Sequence, residues 1–281
     1  MKKQLIIFTD LDGTLLDSKY SFDKARPALA LIKKNRIPLV LCTSKTQAEI
    51  ELLRKKLRNT HPFISENGGG VFIPKDYFKI KIANCKPCLP AGRLQIAESR
   101  KYYIIKLGTE YSVLRKALKE LRTRGFDVKG FGDMTVREVA RLTGLKTADA
   151  KLAKQRDFDE PFVFKGSAAS LKKLKQFIKS IGLTFTIGEF FHLMGNGDKG
   201  RAVKILTKLY RKQYGKITTI ALGDSPNDTE MFEIVDYPIM IRKPGGSYDK
   251  RIKVKKKLIR ADGAGPEGWN IAVKNLLNKF F

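Results

Sequence analysis

Cysteine is scarce. Three in 281 residues are too few for a disulfide framework. Two of them form a single Cys-x-x-Cys pair, Cys85 and Cys88. A zinc site needs two further Cys or His ligands at similar spacing, and none stands nearby, so the pair is expected to be two reduced thiols in a loop. Long apolar runs are also missing. Nothing approaches the roughly 18–20 residues that cross a bilayer. Leu5-Ile6-Ile7-Phe8 follows a basic start but is stopped by Thr9 and Asp10, too short for a signal-peptide core. A buried first strand and a cytoplasmic protein are the expectation. Acidic residues are outnumbered, 28 against 56 basic ones, leaving a net charge of +28. Such a field attracts anions. The lysines and arginines are nevertheless dispersed, and no aromatic-interleaved basic repeat of the single-strand-binding kind occurs. An anionic small substrate fits this charge better than specific nucleic-acid binding. Internal repeats are absent as well.

What is present alternates. Leu5–Phe8 and Ile37–Cys42 are apolar runs separated by a helical stripe at Ala28, Leu29 and Ile32, which is the start of a parallel sheet with crossover helices. Thr46 and Glu49 form a capping-box pattern ahead of Ile50, Leu53 and Leu57. Pro62–Ser65 reads as a third strand, ending at Glu66-Asn67-Gly68-Gly69-Gly70. The middle of the chain changes character. Strand-like runs at 102–107, 161–164 and 184–187 are interspersed with helical stripes, one of them opened by Thr135 and Glu138. After Gly197 the α/β alternation returns, with Asp198 capping a helix and Ile217–Leu222 as a buried strand. The fold class expected is α/β, a doubly wound, mostly parallel core built from residues 1–84 and 189–281. An α+β cap domain is inserted over 85–188.

Open parallel sheets bind ligands beyond the carboxyl ends of their strands. Four polar clusters fall at such ends: Asp10-Leu11-Asp12-Gly13-Thr14, Thr43-Ser44, Asp198-Lys199, and Gly223-Asp224-Ser225-Pro226-Asn227-Asp228. Together they suit a hard divalent cation beside a phosphate. Asp10, directly after a buried strand, is placed to attack phosphorus. Asp12 can protonate the departing oxygen and later deprotonate water. Mg²⁺ is expected among Asp10, the backbone carbonyl near Asp12, Asp224 and Asp228. Lys199 supplies a fixed charge, and the Thr43 hydroxyl with the Ser44 N–H would take a phosphoryl oxygen. This chemistry needs no imidazole, so His61 and His192 are expected to be structural. Each cluster alone could be an ordinary turn or cap. Their joint, ordered occurrence after strands argues otherwise.

Asp10-Leu11-Asp12-Gly13-Thr14, the strand-terminal Thr43, Lys199, and Gly223-Asp224 with Asp228 resemble the four motifs of the haloacid dehalogenase superfamily. The inserted cap resembles that of its Cof-type (type IIB cap) sugar phosphatases. More narrowly, five stretches resemble the mannosyl-3-phosphoglycerate phosphatases: Phe8–Asp17, Ser44-Lys45-Thr46, Glu66–Gly69, Arg156–Phe162 and Gly265–Asn270. That resemblance implies Mg²⁺-dependent hydrolysis of mannosyl-3-phosphoglycerate to mannosylglycerate and phosphate, a step of compatible-solute synthesis. It adds Asn67, Gly68, Arg156 and Lys165 as substrate-binding candidates. Two departures stand out. Glu189 occupies a position where the family pattern, Gly-Arg-Phe, has arginine, and the 85–100 stretch is longer than usual. Alternatives are a sugar-phosphate phosphatase of the same architecture, acting on glucosyl-3-phosphoglycerate, trehalose 6-phosphate or sucrose phosphate, or a basic polyanion-binding protein with a decayed site.

Overall fold

The computed structural model describes residues 3–79, 82, 95–188, 190–195 and 197–280. Cys85, Cys88 and Glu189 lie outside these residues, and the expectations placed on them are not addressed by the structure.

The chain opens with β1 (Gln4–Thr9), α1 (Arg26–Lys34), β2 (Leu39–Cys42), α2 (Gln47–Leu57) and β3 (Phe63–Ser65). The expected capping box starts α2. The Thr46 hydroxyl accepts the Glu49 N–H, and the Glu49 carboxylate accepts the Thr46 N–H at 2.9 Å. There follow β4 (Gly70–Pro74), β5 (Gln95–Glu98) and β6 (Tyr102–Lys106). A second set is α3 (Tyr111–Thr123), β7 (Asp127–Gly130), α4 (Val136–Thr143), α5 (Thr147–Ala153), β8 (Asp159–Lys165), α6 (Ala168–Ser180), β9 (Thr184–Ile187) and β10 (Phe191–Met194). The chain then returns through α7 (Lys199–Tyr214), β11 (Ile217–Gly223), α8 (Thr229–Ile234), β12 (Tyr237–Arg242), β13 (Ile259–Ala264) and α9 (Gly265–Phe280).

The large sheet has the order β13-β12-β11-β1-β2-β3-β4-β6-β5, parallel from β13 to β3 and antiparallel beyond. Both faces are covered, which is why β1 is apolar throughout. Leu5 and Ile7 pack with α1, α2 and α9, while Ile6 and Phe8 pack with α7 and α8. The Phe63 and Phe72 rings stack at 4.8 Å between centroids, and Tyr102 meets both edge-on. From β1 the chain winds outward through β2 and β3 on one side. The late strands β11, β12 and β13 occupy the other. The crevice at this reversal lies beside the carboxyl end of β1.

The second sheet, β7-β8-β10-β9, is antiparallel and carries α3 and α6 on one face, with Leu114, Leu118, Phe162, Leu174, Ile178 and Leu193 in the core between them. Sheet membership moves the expected cap boundaries of 85 and 188. β5 and β6 extend the large sheet, with Ile105 opposite Val71, because their apolar face completes the core under α7. β10 belongs to the cap, where Leu193 is buried. The crossings therefore run between β6 and α3 and between β10 and α7.

His61 sits where β3 begins, its Nδ1 2.7 Å from the Tyr77 hydroxyl and its carbonyl accepting from Arg54 at 2.8 Å. Burial, then the Arg54 charge, lower its pKa to about 4. The unfolded chain takes up this proton near pH ~6.5, whereas the folded one resists it. His61 therefore contributes stability above pH ~6.5 that is lost as the pH falls toward 4. Urea unfolding of His61→Gln between pH 7 and 4 should show a shallower decline than the parent; an identical slope would contradict the assignment.

Candidate active site

Asp10 follows β1 directly, its N–H bonded to the Leu222 carbonyl at 2.9 Å. The buried Trp269 indole donates to the Thr9 hydroxyl, which donates to the Asp10 carbonyl at 2.8 Å, so the end of β1 is tied down from below. The chain then doubles back: Leu16 N–H bonds the Leu11 carbonyl and Gly13 N–H the Leu16 carbonyl. Gly13 has φ +73°, and a Cβ there would stand 2.8 Å from the Asp224 carboxylate. Conformation and space both call for glycine.

Lys199 opens α7, whose N-cap Asp198 accepts the Arg201 N–H at 2.7 Å. Its side chain is 1% exposed and donates to Asp10 Oδ1 and Asp228 Oδ1, each at 2.7 Å. Asp228 Oδ2 accepts the N–H groups of Asp224 and Ser225. The Thr14 hydroxyl donates to Asp224 at 3.3 Å. Carboxylate oxygens of Asp10, Asp224 and Asp228 lie within 4.8 Å of one another, all three residues buried.

Burial raises the Asp10 carboxyl well above its ordinary range; Lys199 pulls it back, while Asp228 and Asp224 push it up. Burial and then Asp228 bring Asp224 to about 7. Burial works against the charge of Lys199, yet Asp10 and Asp228 outweigh it and keep the ammonium charged. Three buried carboxylates thus share one ammonium, and Asp224 has no ion-pair partner among the described residues. A compact all-oxygen set with this surplus of negative charge fits a hard divalent cation.

Above this rim a cleft of about 680 Å³ separates the core from the cap. Asp10, Asp12, Gly13, Ser44 and Asp224 line its core side; Phe131, Leu145, Arg156, Thr186 and His192 line its cap side. Asp12 Oδ2 pairs with Lys45 at 3.0 Å, and its Oδ1 has no hydrogen-bond partner among the described residues. Thr43 is buried behind the cleft wall, its hydroxyl accepting the Lys45 N–H at 3.3 Å.

The remaining substrate-binding candidates divide. Arg156 does line the cleft, buried rather than exposed, donating to the Ser44 and Ala153 carbonyls and lying 3.8 Å from Asp159. Asn67 does not line it. Its side chain bridges Asp159 of the cap, at 3.1 Å, and Asn227 of the core, at 3.0 Å. Gly68, at φ +94°, lets the backbone meet the start of α7, where a Cβ would be 2.2 Å from the Asp198 carbonyl. Lys165 is exposed at the far end of β8, opposite Asp127, and lines no part of the cleft. A strand of seven residues carries it away from Asp159. His192, expected to be structural, lines the cleft, as do Lys45, Lys243 and Arg251. Lys45 stands within the Ser44-Lys45-Thr46 stretch that resembles the family, whereas Lys243 and Arg251 had no distinguishing signal in so basic a chain.

The sequence model of a family described as haloacid dehalogenase-like hydrolase matches residues 7–244. A Methanococcoides burtonii protein named glucosyl-3-phosphoglycerate/mannosyl-3-phosphoglycerate phosphatase is 45% identical over 277 residues, 98% of this chain and 97% of its own. A Pyrococcus furiosus protein named mannosyl-3-phosphoglycerate phosphatase is 35% identical, covering 84% and 90%. Among solved structures, a haloacid dehalogenase-like hydrolase from B. subtilis superposes with a TM-score of 0.66 at 17% identity, over 98% and 100% of the two chains. At that identity the likeness concerns the fold.

Lys199→Met leaves the Asp10 and Asp228 carboxylates buried without their cation, which costs about 3–5 kcal/mol for a broken buried pair. Thermal unfolding of metal-free protein at neutral pH should show that loss, with partial recovery in Lys199→Met/Asp228→Asn. A single variant as stable as the parent would mean that the ammonium is not needed to hold the cluster.

Proposed function

The chain belongs to the haloacid dehalogenase-like hydrolases and is a phosphatase, and from that premise we propose that it hydrolyses glucosyl- and mannosyl-3-phosphoglycerate to the glycosylglycerate and phosphate. The observation that carries this reading is the cluster of Asp10, Asp224 and Asp228 around Lys199 beneath the cleft. The names of the full-length relatives, which join both sugars, support the substrate and favour acceptance of glucose alongside mannose.

Asp10 is the nucleophile. Lys199 holds Oδ1, and Oδ2 is left without a hydrogen-bond partner among the described residues. That oxygen attacks phosphorus, the P–O bond to glycerate breaks, and Asp12 donates its proton to the leaving oxygen. Asp12 then takes a proton from the water that attacks the aspartyl-phosphate, releasing phosphate and restoring Asp10. Lys45, 3.0 Å from Asp12, holds that carboxyl at the cleft. The Ser44 N–H at the cleft would meet a phosphoryl oxygen, whereas the Gly13 and Thr43 N–H groups are already bonded to the Leu16 and Ile64 carbonyls. Asp10, Asp224 and Asp228, with the carbonyl near Asp12, would hold Mg²⁺, which when bound supplies positive charge opposite the phosphoryl oxygens. The net charge of +28 raises the local concentration of a substrate carrying both phosphate and carboxylate.

Asp10→Asn should abolish turnover, because an amide is neither nucleophile nor anionic ligand. Phosphate release compared across glucosyl-3-phosphoglycerate, mannosyl-3-phosphoglycerate, trehalose 6-phosphate and sucrose phosphate should favour the first two; equal rates on all four would sink the narrow substrate assignment. Chelation should stop turnover, with recovery on adding Mg²⁺. A proton on Asp224, present below a pH of about 7 in metal-free protein, must leave before a cation binds. Mg²⁺ affinity measured by calorimetry should therefore tighten as the pH rises from 6 to 8, and pH-independent affinity would contradict the ligand set.

A further inference from the structure

Resting on the substrate reading above, we propose that His192 is a specificity-determining residue: it receives a sugar hydroxyl of the leaving group, and Asp159 is its positioning partner. The side chains of β10 alternate. Leu193 is buried in the cap core with Phe191 packed against it, and His192 lies on the opposite face. His192 stands across from Pro161 on β8 and Thr186 on β9, and all three line the cleft. This row is the part of the cap sheet that a ligand held at Asp10 would meet.

The imidazole is fixed. Its Nδ1 is 2.8 Å from Asp159 Oδ2 and 3.1 Å from Oδ1. Asp159 is fully buried, also accepts from Asn67 at 3.1 Å, and lies 3.8 Å from Arg156. A carboxylate so held assigns the proton to Nδ1 and leaves Nε2 as an acceptor. Nε2 has no hydrogen-bond partner among the described residues. Several of the larger polar side chains at the cleft are committed elsewhere, while the Thr186 hydroxyl beside His192 offers a second polar group on the same row. Arg156 serves the Ser44 and Ala153 carbonyls, Thr143 donates to Val139 of its own helix, and Lys243 with Arg251 hold Asp249. An uncommitted acceptor on a rigid strand, facing the space beyond the phosphate, suits a polyhydroxylated group.

The test compares kcat/KM for mannosyl- and glucosyl-3-phosphoglycerate with kcat/KM for p-nitrophenyl phosphate, which has no sugar. In His192→Phe the ratio of glycosyl to nitrophenyl substrate should fall about fivefold or more through KM, as expected for one lost hydrogen bond. Asp159→Asn, which removes the group that fixes the tautomer, should lower the ratio in the same direction. His192→Asn keeps an acceptor in a smaller side chain and should restore part of the ratio, and it carries the test if phenylalanine disturbs the cap. A ratio within about twofold of the parent in both His192 variants would overturn the assignment, whether both activities drop together or neither does. A parent enzyme with no preference for the glycosylated esters would overturn the substrate reading and this inference with it.

Discussion

A lysine ammonium buried between two aspartates holds this molecule's two halves in one chemical unit. Asp10 directly follows the first strand, 189 residues before Lys199 at the start of α7, and Asp228 lies in the loop after β11, 29 residues beyond Lys199. An ammonium at 1% exposure is tolerable only when paired. Conversely, carboxylates this close remain ionised only with a cation between them. The arrangement also leaves a surplus of negative charge at Asp224, which fits a divalent cation.

The sheet supplies the geometry that the pair requires. Because β1 lies between β11 and β2, the residues after all three strands converge at one rim. Continuous apolar runs keep those strands buried on both faces, and rigidity there passes to Asp10 through Trp269 and Thr9. The cap is joined to this rim by polar contacts: Asn67 to Asp159 and Asn227, and Arg156 to the Ser44 carbonyl. The backbone at Glu66 and Asn67, at φ +47° and +55°, is held in a left-handed conformation that aims these side chains.

Much of the rim was legible in the sequence because each residue sits where local pattern changes. Asp10 and Asp224 each end an apolar run, and Asp198-Lys199 precedes a helical stripe. The structure brings Asp10, Lys199, Asp224 and Asp228 together. Cross-strand partnership was not legible. The run at 102–107 has the same pattern whether it pairs in the core or the cap, and its place beside β4 depends on Val71 and Ile105 meeting. Lys165 is a candidate only through the resemblance, which says nothing of strand direction, and the length of β8 takes it to the end opposite Asp159. His192 reads as structural in the sequence because its partner, Asp159, is 33 residues away in sequence and 2.8 Å away in space.

The central claim is a covalent intermediate on Asp10. Acid quenching during turnover of mannosyl-3-phosphoglycerate with Mg²⁺, followed by peptide mass spectrometry, tests it directly. The peptide containing Asp10 should gain the mass of one phosphoryl group, at that residue and at no other. Turnover with an unmodified Asp10 peptide, or with the label on another side chain, would contradict it.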